Sequence, residues 1–143
     1  MPIHPDLRPL YPSNWRELAD GVKFERAKGR CERCGRPHGE PVWVVKYGGW
    51  IDPNTGKRYD GQGQPADVLE TAEWPEGRFV KTVLTCAHLD QNPANNDPTN
   101  LAALCQRCHL QHDREHHRRR AYQNRRRHWA VADLFETEEN RRD

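Results

Sequence analysis

Ala87-His-Leu-Asp-Gln-Asn-Pro-Ala-Asn-Asn-Asp-Pro-Thr-Asn-Leu-Ala-Ala-Leu-Cys-Gln-Arg-Cys-His109 is the stretch whose reading decides the fold. It opens at the end of an apolar, strand-like run at His88 and passes through a polar loop, Gln91–Thr99, rich in Asn, Asp and Pro. Asn100 then returns the chain to apolar character in Leu101–Leu104, and Cys105-Gln-Arg-Cys108 closes it with His109 directly behind. A second pair, Cys31-Glu-Arg-Cys34, stands upstream, and the glycine after it, Gly35, relieves the tight turn such a knuckle needs. Four thiolates at this spacing close a tetrahedral structural zinc site. His88, Asn100 and His109 beside them are residue types suited to hydrolysis.

Outward from this stretch, Arg78–Cys86 alternates as a strand, with Phe79, Val80, Val83 and Leu84 β-prone. A helix is expected from about Cys105 to Arg127 or beyond, its far end burying Trp129, Val131, Leu134 and Phe135. Residues 1–12 are proline-rich and expected to be extended. Ser13 or Asn14 caps a helix from near Trp15 to about Lys28, with Trp15, Leu18, Ala19, Val22 and Ala27 on its apolar face. Val42–Lys46 and a piece around Trp50–Tyr59 read as strands, with Pro53, Asn54 and Gly56 as turn residues between Ile51 and Tyr59. Residues 61–77 read as loop. The insert at 40–75 carries no chemical signature, and its default role is a hairpin decorating the domain. Trp43, Trp50 and Trp74 are expected to pack there.

The 143 residues suffice for one domain, 1–143, with an acidic tail over 133–143. Only 34% are hydrophobic, so the core is thin and a metal staple is expected. The start of the chain holds no apolar leader, and no stretch approaches the roughly 20 apolar residues of a membrane span. The expected location is therefore cytoplasmic, where paired cysteines are more often metal ligands than disulfides. Cys86, the fifth cysteine, reads as a small buried strand residue.

The net charge of +2 hides segregation. Arg107, Arg114, Arg118, Arg119, Arg120, Arg125, Arg126 and Arg127 crowd one stretch, against Asp113 and Glu115. Arginine's planar fork suits phosphate, which makes a nucleic acid the expected partner. A solvated helix face is the bland alternative, and His116 and His117 read as its surface.

The order His88, Asn100, His109 in the quoted run resembles the HNH nuclease superfamily, the ββα-metal fold. It is similar in particular to small HNH proteins of phages and prophages that carry flanking cysteine pairs. Tyr11-Pro-Ser-Asn-Trp15 and Asp133-Leu-Phe135 look like that subgroup too. The resemblance covers roughly 11–38 and 78–135. It implies an α+β, zinc-stabilised domain with an N-terminal helix, a hairpin insert and a long basic C-terminal helix.

The implied activity is metal-dependent cleavage or nicking of DNA. Hydrolysing a phosphodiester takes a base to activate water and a cation to stabilise developing charge. His88, at a strand end facing the helix, is the expected general base, because an unperturbed imidazole is neutral near pH 7. Asn100 is expected to bridge the loop and orient that base through its amide. His109 is the expected ligand of a catalytic Mg²⁺ or other divalent cation. His112 and Asp113 follow at i+3 and i+4 on the same helical face, and Asp90 is a further candidate ligand. Arg107, Arg114, Arg118, Arg119, Arg125 and Arg126 are the expected DNA contacts.

Two positions depart from the pattern. Ala87 stands where many relatives carry an Asp or His ligand, and Gln91 stands where the phage-type run often reads His. They favour the alternative of an inactive zinc module that binds nucleic acid. A protein-interaction role for the tryptophan-bearing insert is a third reading.

Overall fold

The computed structural model describes residues 5–66 and 75–139, with the backbone alone from 131 onward. The expected packing of Trp74 and of Val131, Leu134 and Phe135, and the acidic tail's side chains, lie outside that description. The chain is α+β and divides into two compact units, residues 1–110 and 111–143.

In the first unit, α1 (Trp15–Asp20) runs into a π-helical segment, Gly21–Arg26. The Asn14 carbonyl accepts from the Leu18 N–H, but the Asn14 side chain makes no capping bond, so the expected cap is backbone only. Pro5–Leu10 is a 3-10 helix where extended chain was expected. Prolines fix φ near −65°, which suits such tight turns as well as it suits extended chain.

Four antiparallel strands form one sheet in the order β3-β2-β1-β4: β1 Pro41–Val45, β2 Trp50–Ile51, β3 Arg58–Tyr59 and β4 Gly77–Lys81. Trp43 sits opposite Phe79 on one side and Ile51 on the other. A separate hairpin pairs β5 (Leu84–His88) with β6 (Leu101–Cys105), Cys86 opposite Ala103 and His88 opposite Leu101.

The single strand expected over Arg78–Cys86 is therefore two strands in two sheets. The switch falls at Thr82, which is buried. Its N–H donates to the Glu40 carbonyl and its carbonyl accepts from the Gly39 N–H, so the crossover leaves no backbone group unpaired there. Period-two alternation continues through such a crossover, which is why the pattern conceals it.

Both faces of the β5–β6 hairpin are covered, and β6 is accordingly apolar and buried along its whole length. Leu101 and Ala103 pack with Val22, Trp15, Leu18, Ala27 and Cys86, so this face meets the N-terminal helix. Ala87, Ala102 and Leu104 pack with the four paired cysteines on the other face. Cys86 is half-buried, and desolvation pushes its thiol up to about 11.

The helix expected as one from Cys105 is two, α2 (Gln106–His112) and α3 (Arg114–Glu139), interrupted at Asp113. The Asp113 carbonyl accepts the His117 N–H at the start of α3. Along α3 every side chain from Arg114 to Ala130 is exposed. No described helix is long and apolar enough to cross a membrane.

Candidate metal centre and hydrolytic hairpin

The ligand atoms of Cys31, Cys34, Cys105 and Cys108 all lie within 4.8 Å of one another, and all four residues are buried. Cys34 Sγ and Cys105 Sγ are 3.6 Å apart. A Zn–S bond of about 2.3 Å implies a tetrahedral edge of about 3.8 Å, so the set fits a structural zinc ion.

Backbone amides complete the knuckles. The Cys105 N–H donates to Cys31 Sγ at 3.3 Å. The Arg36 and Cys108 amides serve Cys34 and Cys105 in the same way. Crowding splits the thiols. Hydrogen bonds from Cys105, Cys108 and Cys34 hold Cys31 well below the ordinary thiol range, whereas Cys105, Cys31 and Cys34 drive Cys108 well above it. A cation among the four would let all of them ionise, so the cluster is suited to hold a metal.

The insert is built around the first knuckle. Trp50, 1% exposed and stacked on Tyr59, donates Nε1–H to the Cys34 carbonyl at 3.1 Å. Gly63, at φ +86°, brings its loop so close that a Cβ there would meet the Cys34 carbonyl carbon and oxygen at 2.7 Å. Buried Arg36 reaches back to the Gly48 carbonyl at 2.9 Å. Arg107 donates to the Gly61 carbonyl at 2.9 Å and packs over Gly48. The 40–75 insert thus shapes the metal centre, where a decoration was expected. Arg107, expected on DNA, is committed to the insert.

A second tie joins the first knuckle to β6. Glu32 donates its N–H to the Ala103 carbonyl, and its carboxylate accepts from the Ala103 N–H at 2.6 Å. Arg26 grips that carboxylate with two bonds of 2.8 and 3.0 Å and donates also to the Pro98 and Leu101 carbonyls.

His88 ends β5 and faces α1, where the expectation had it facing the following helix. Its ring stacks on Trp15 at 5.0 Å and meets the edge of Tyr11 at 5.6 Å. Its Nε2 lies 3.0 Å from Asn96 Oδ1. The Asn96 Nδ2 donates to the Pro93 and Ala94 carbonyls, which assigns the amide's orientation and leaves Oδ1 as acceptor. His88 therefore carries its proton on Nε2 and its lone pair on Nδ1.

Asn100 closes the 89–100 loop as expected, but its amide does not hold the base. Its Nδ2 donates to Asp90 Oδ1 and the Asn95 carbonyl, both at 2.8 Å, and its Oδ1 accepts from the Asp90 N–H. Asn96 does the orienting. The Asp90 carboxylate, a candidate ligand by sequence, accepts from the Asn92 N–H, Asn95 Nδ2 and Asn100 Nδ2, which hold it below the usual carboxylate range. It frames the loop.

His109, on α2, places Nδ1 2.8 Å from Thr85 Oγ1, and that hydroxyl donates to the Leu104 carbonyl at 3.2 Å. The hydroxyl's proton being used there, His109 Nδ1–H is the donor and the lone pair falls on Nε2, the arrangement of a metal-binding histidine with an oriented outer partner. Thr85 alternates with Ala87 onto the cysteine-facing side of β5, opposite the side of His88. The two imidazoles thus approach the hairpin from its two faces. Ala87, 2% exposed, offers no donor atom on the His109 side. His112 ends α2, and Asp113 stands at the break between α2 and α3.

Of the expected DNA contacts other than Arg107, Arg114, Arg118, Arg119, Arg125 and Arg126 are exposed on α3. Arg118 pairs with Glu115 at 2.9 Å. Tyr11, Trp15, Thr85 and Asn96 were not singled out for a site role by sequence. Only the Tyr11–Trp15 run carried a signal, through its resemblance. Compared with family models, curated proteins and solved structures, the chain matches none.

Proposed function

We propose that this chain is a metal-dependent endonuclease of HNH type, hydrolysing DNA phosphodiester bonds with His88 as general base. The observation that carries this is the His88–Asn96 bond, which directs a basic imidazole nitrogen, Nδ1, away from the loop that holds it. The Trp15 and Tyr11 rings fix the imidazole plane, so the base waits in one orientation. Nδ1 takes the proton of the attacking water, and the Asn96 carbonyl oxygen stabilises the imidazolium through Nε2–H. Thr85 holds His109 with Nε2 as the ligand atom. His109 would be the residue that holds a divalent cation, whose charge would stabilise the leaving oxygen. In-line displacement puts attack and departure on opposite sides of phosphorus.

One observation favours a second reading. Ala87 leaves the His109 side of the hairpin without the carboxylate or imidazole that would complete a cation site, as in a zinc module that binds nucleic acid without cutting it. Nicking of supercoiled plasmid in Mg²⁺, Mn²⁺, Ni²⁺ or Zn²⁺ separates the two. The nuclease reading expects His88→Ala to lose about 100-fold or more in rate. Equal nicking by both proteins removes His88 as base, and no nicking in any metal leaves the binding module.

A further inference from the structure

On α3 the residues Arg114, Arg118, Tyr122, Arg125, Arg126 and Trp129 stand at i, i+4, i+8, i+11, i+12 and i+15. At 100° per residue they share one 120° stripe of the helix. Both described aromatic side chains of α3 thus fall among the guanidinium groups. Tyr122 is 56% and Trp129 69% exposed, and Arg126 lies over the Tyr122 ring at 5.8 Å. Seven residues separate the rings, about 10 Å along the axis.

We infer that this stripe binds an unpaired nucleic-acid strand, its arginines on phosphates and its two rings stacked on bases. This rests on the nucleic-acid reading above and goes beyond it by naming the form of the substrate. Charge complementarity selects a polyanion: the stripe holds four arginines against Glu115, which pairs with Arg118. The rings select the unpaired form. A duplex keeps its base faces stacked inside and presents a helix with groove edges and phosphates, which give an exposed ring nothing to stack on. An unpaired strand offers a π-face at every base, and losing one stacked base by alanine substitution weakens binding about 5- to 150-fold. The Arg126–Tyr122 contact already orders one ring for this use.

The test is fluorescence anisotropy of the full zinc-loaded protein with a labelled 20-nucleotide single strand and the matching duplex, without added divalent metal. The single strand should bind at least about 10-fold tighter than the duplex. Tyr122→Ala/Trp129→Ala should weaken single-strand binding about 30-fold or more, leave duplex binding within about 2-fold, and be rescued by Tyr122→Phe/Trp129→Phe. Helix content by circular dichroism checks the variant's fold. Equal affinity for both forms overturns the inference, as does a double-alanine variant that still binds the single strand tightly. So does sedimentation showing that the double variant loses only self-association. A protein that prefers single strands yet never nicks plasmid retires the nuclease and leaves the stripe standing, whereas one that nicks without strand preference does the reverse.

Discussion

Asp90 looked like a metal ligand and is the keystone of a loop. Its carboxylate gathers the Asn92 N–H, Asn95 and Asn100, and those bonds hold it below its ordinary range. A carboxyl whose folded value is depressed adds stability above its unfolded value, near 3.9, and that stability is lost as pH falls through the folded value. Exchange protection of the Asn92 amide should therefore hold from pH 7 to about pH 4 and be lost progressively at lower pH. Asp90→Asn should remove that dependence. Protection unchanged at pH 3 would contradict the role. At this scale the sequence was most legible where chemistry constrains residue type. The cysteines converge because nothing else binds like a thiolate set. Asn96 was not legible, since one amide among the four asparagines from Asn92 to Asn100 carries no mark of which imidazole it will meet. The Arg107 bond was hidden for a related reason: its charge is visible in sequence, but the Gly61 carbonyl it donates to is 46 residues away.

Among elements, the surprise is the insert. Its strands were legible from Val42–Val45 and the aromatic Trp50 and Tyr59, but its placement was not, because register along one strand says nothing about which knuckle a sheet covers. Gly63 shows the coupling most plainly. Its φ of +86° excludes an ordinary side chain, and a Cβ would strike the Cys34 carbonyl. Gly63→Ala should cost about 1–3 kcal/mol in chemical denaturation and accelerate zinc release to a chromogenic chelator. Unchanged release would separate the insert from the metal centre. The crossover at Thr82 and the break at Asp113 were hidden for one physical reason. Periodicity persists across both, while hydrogen-bond partners change.

For the molecule as a whole, a thin core is organised by four sulfurs that draw together residues 31–34, β6 and the start of α2. The β5–β6 hairpin, packed on that centre, carries His88 on one face and holds His109 through Thr85 on the other. The α+β class, the N-terminal helix and a cysteine cluster able to hold a metal follow from sequence, whereas the division into two units does not. The proposed hydrolysis needs two kinds of metal site in one small chain. Crystals of the zinc-loaded protein soaked in Mn²⁺ and measured at both absorption edges test it most directly. The expected result is a zinc peak among Cys31, Cys34, Cys105 and Cys108 and a separate manganese peak on His109 Nε2. Zinc alone, with no manganese at His109 even at millimolar concentration, would contradict the hydrolytic half.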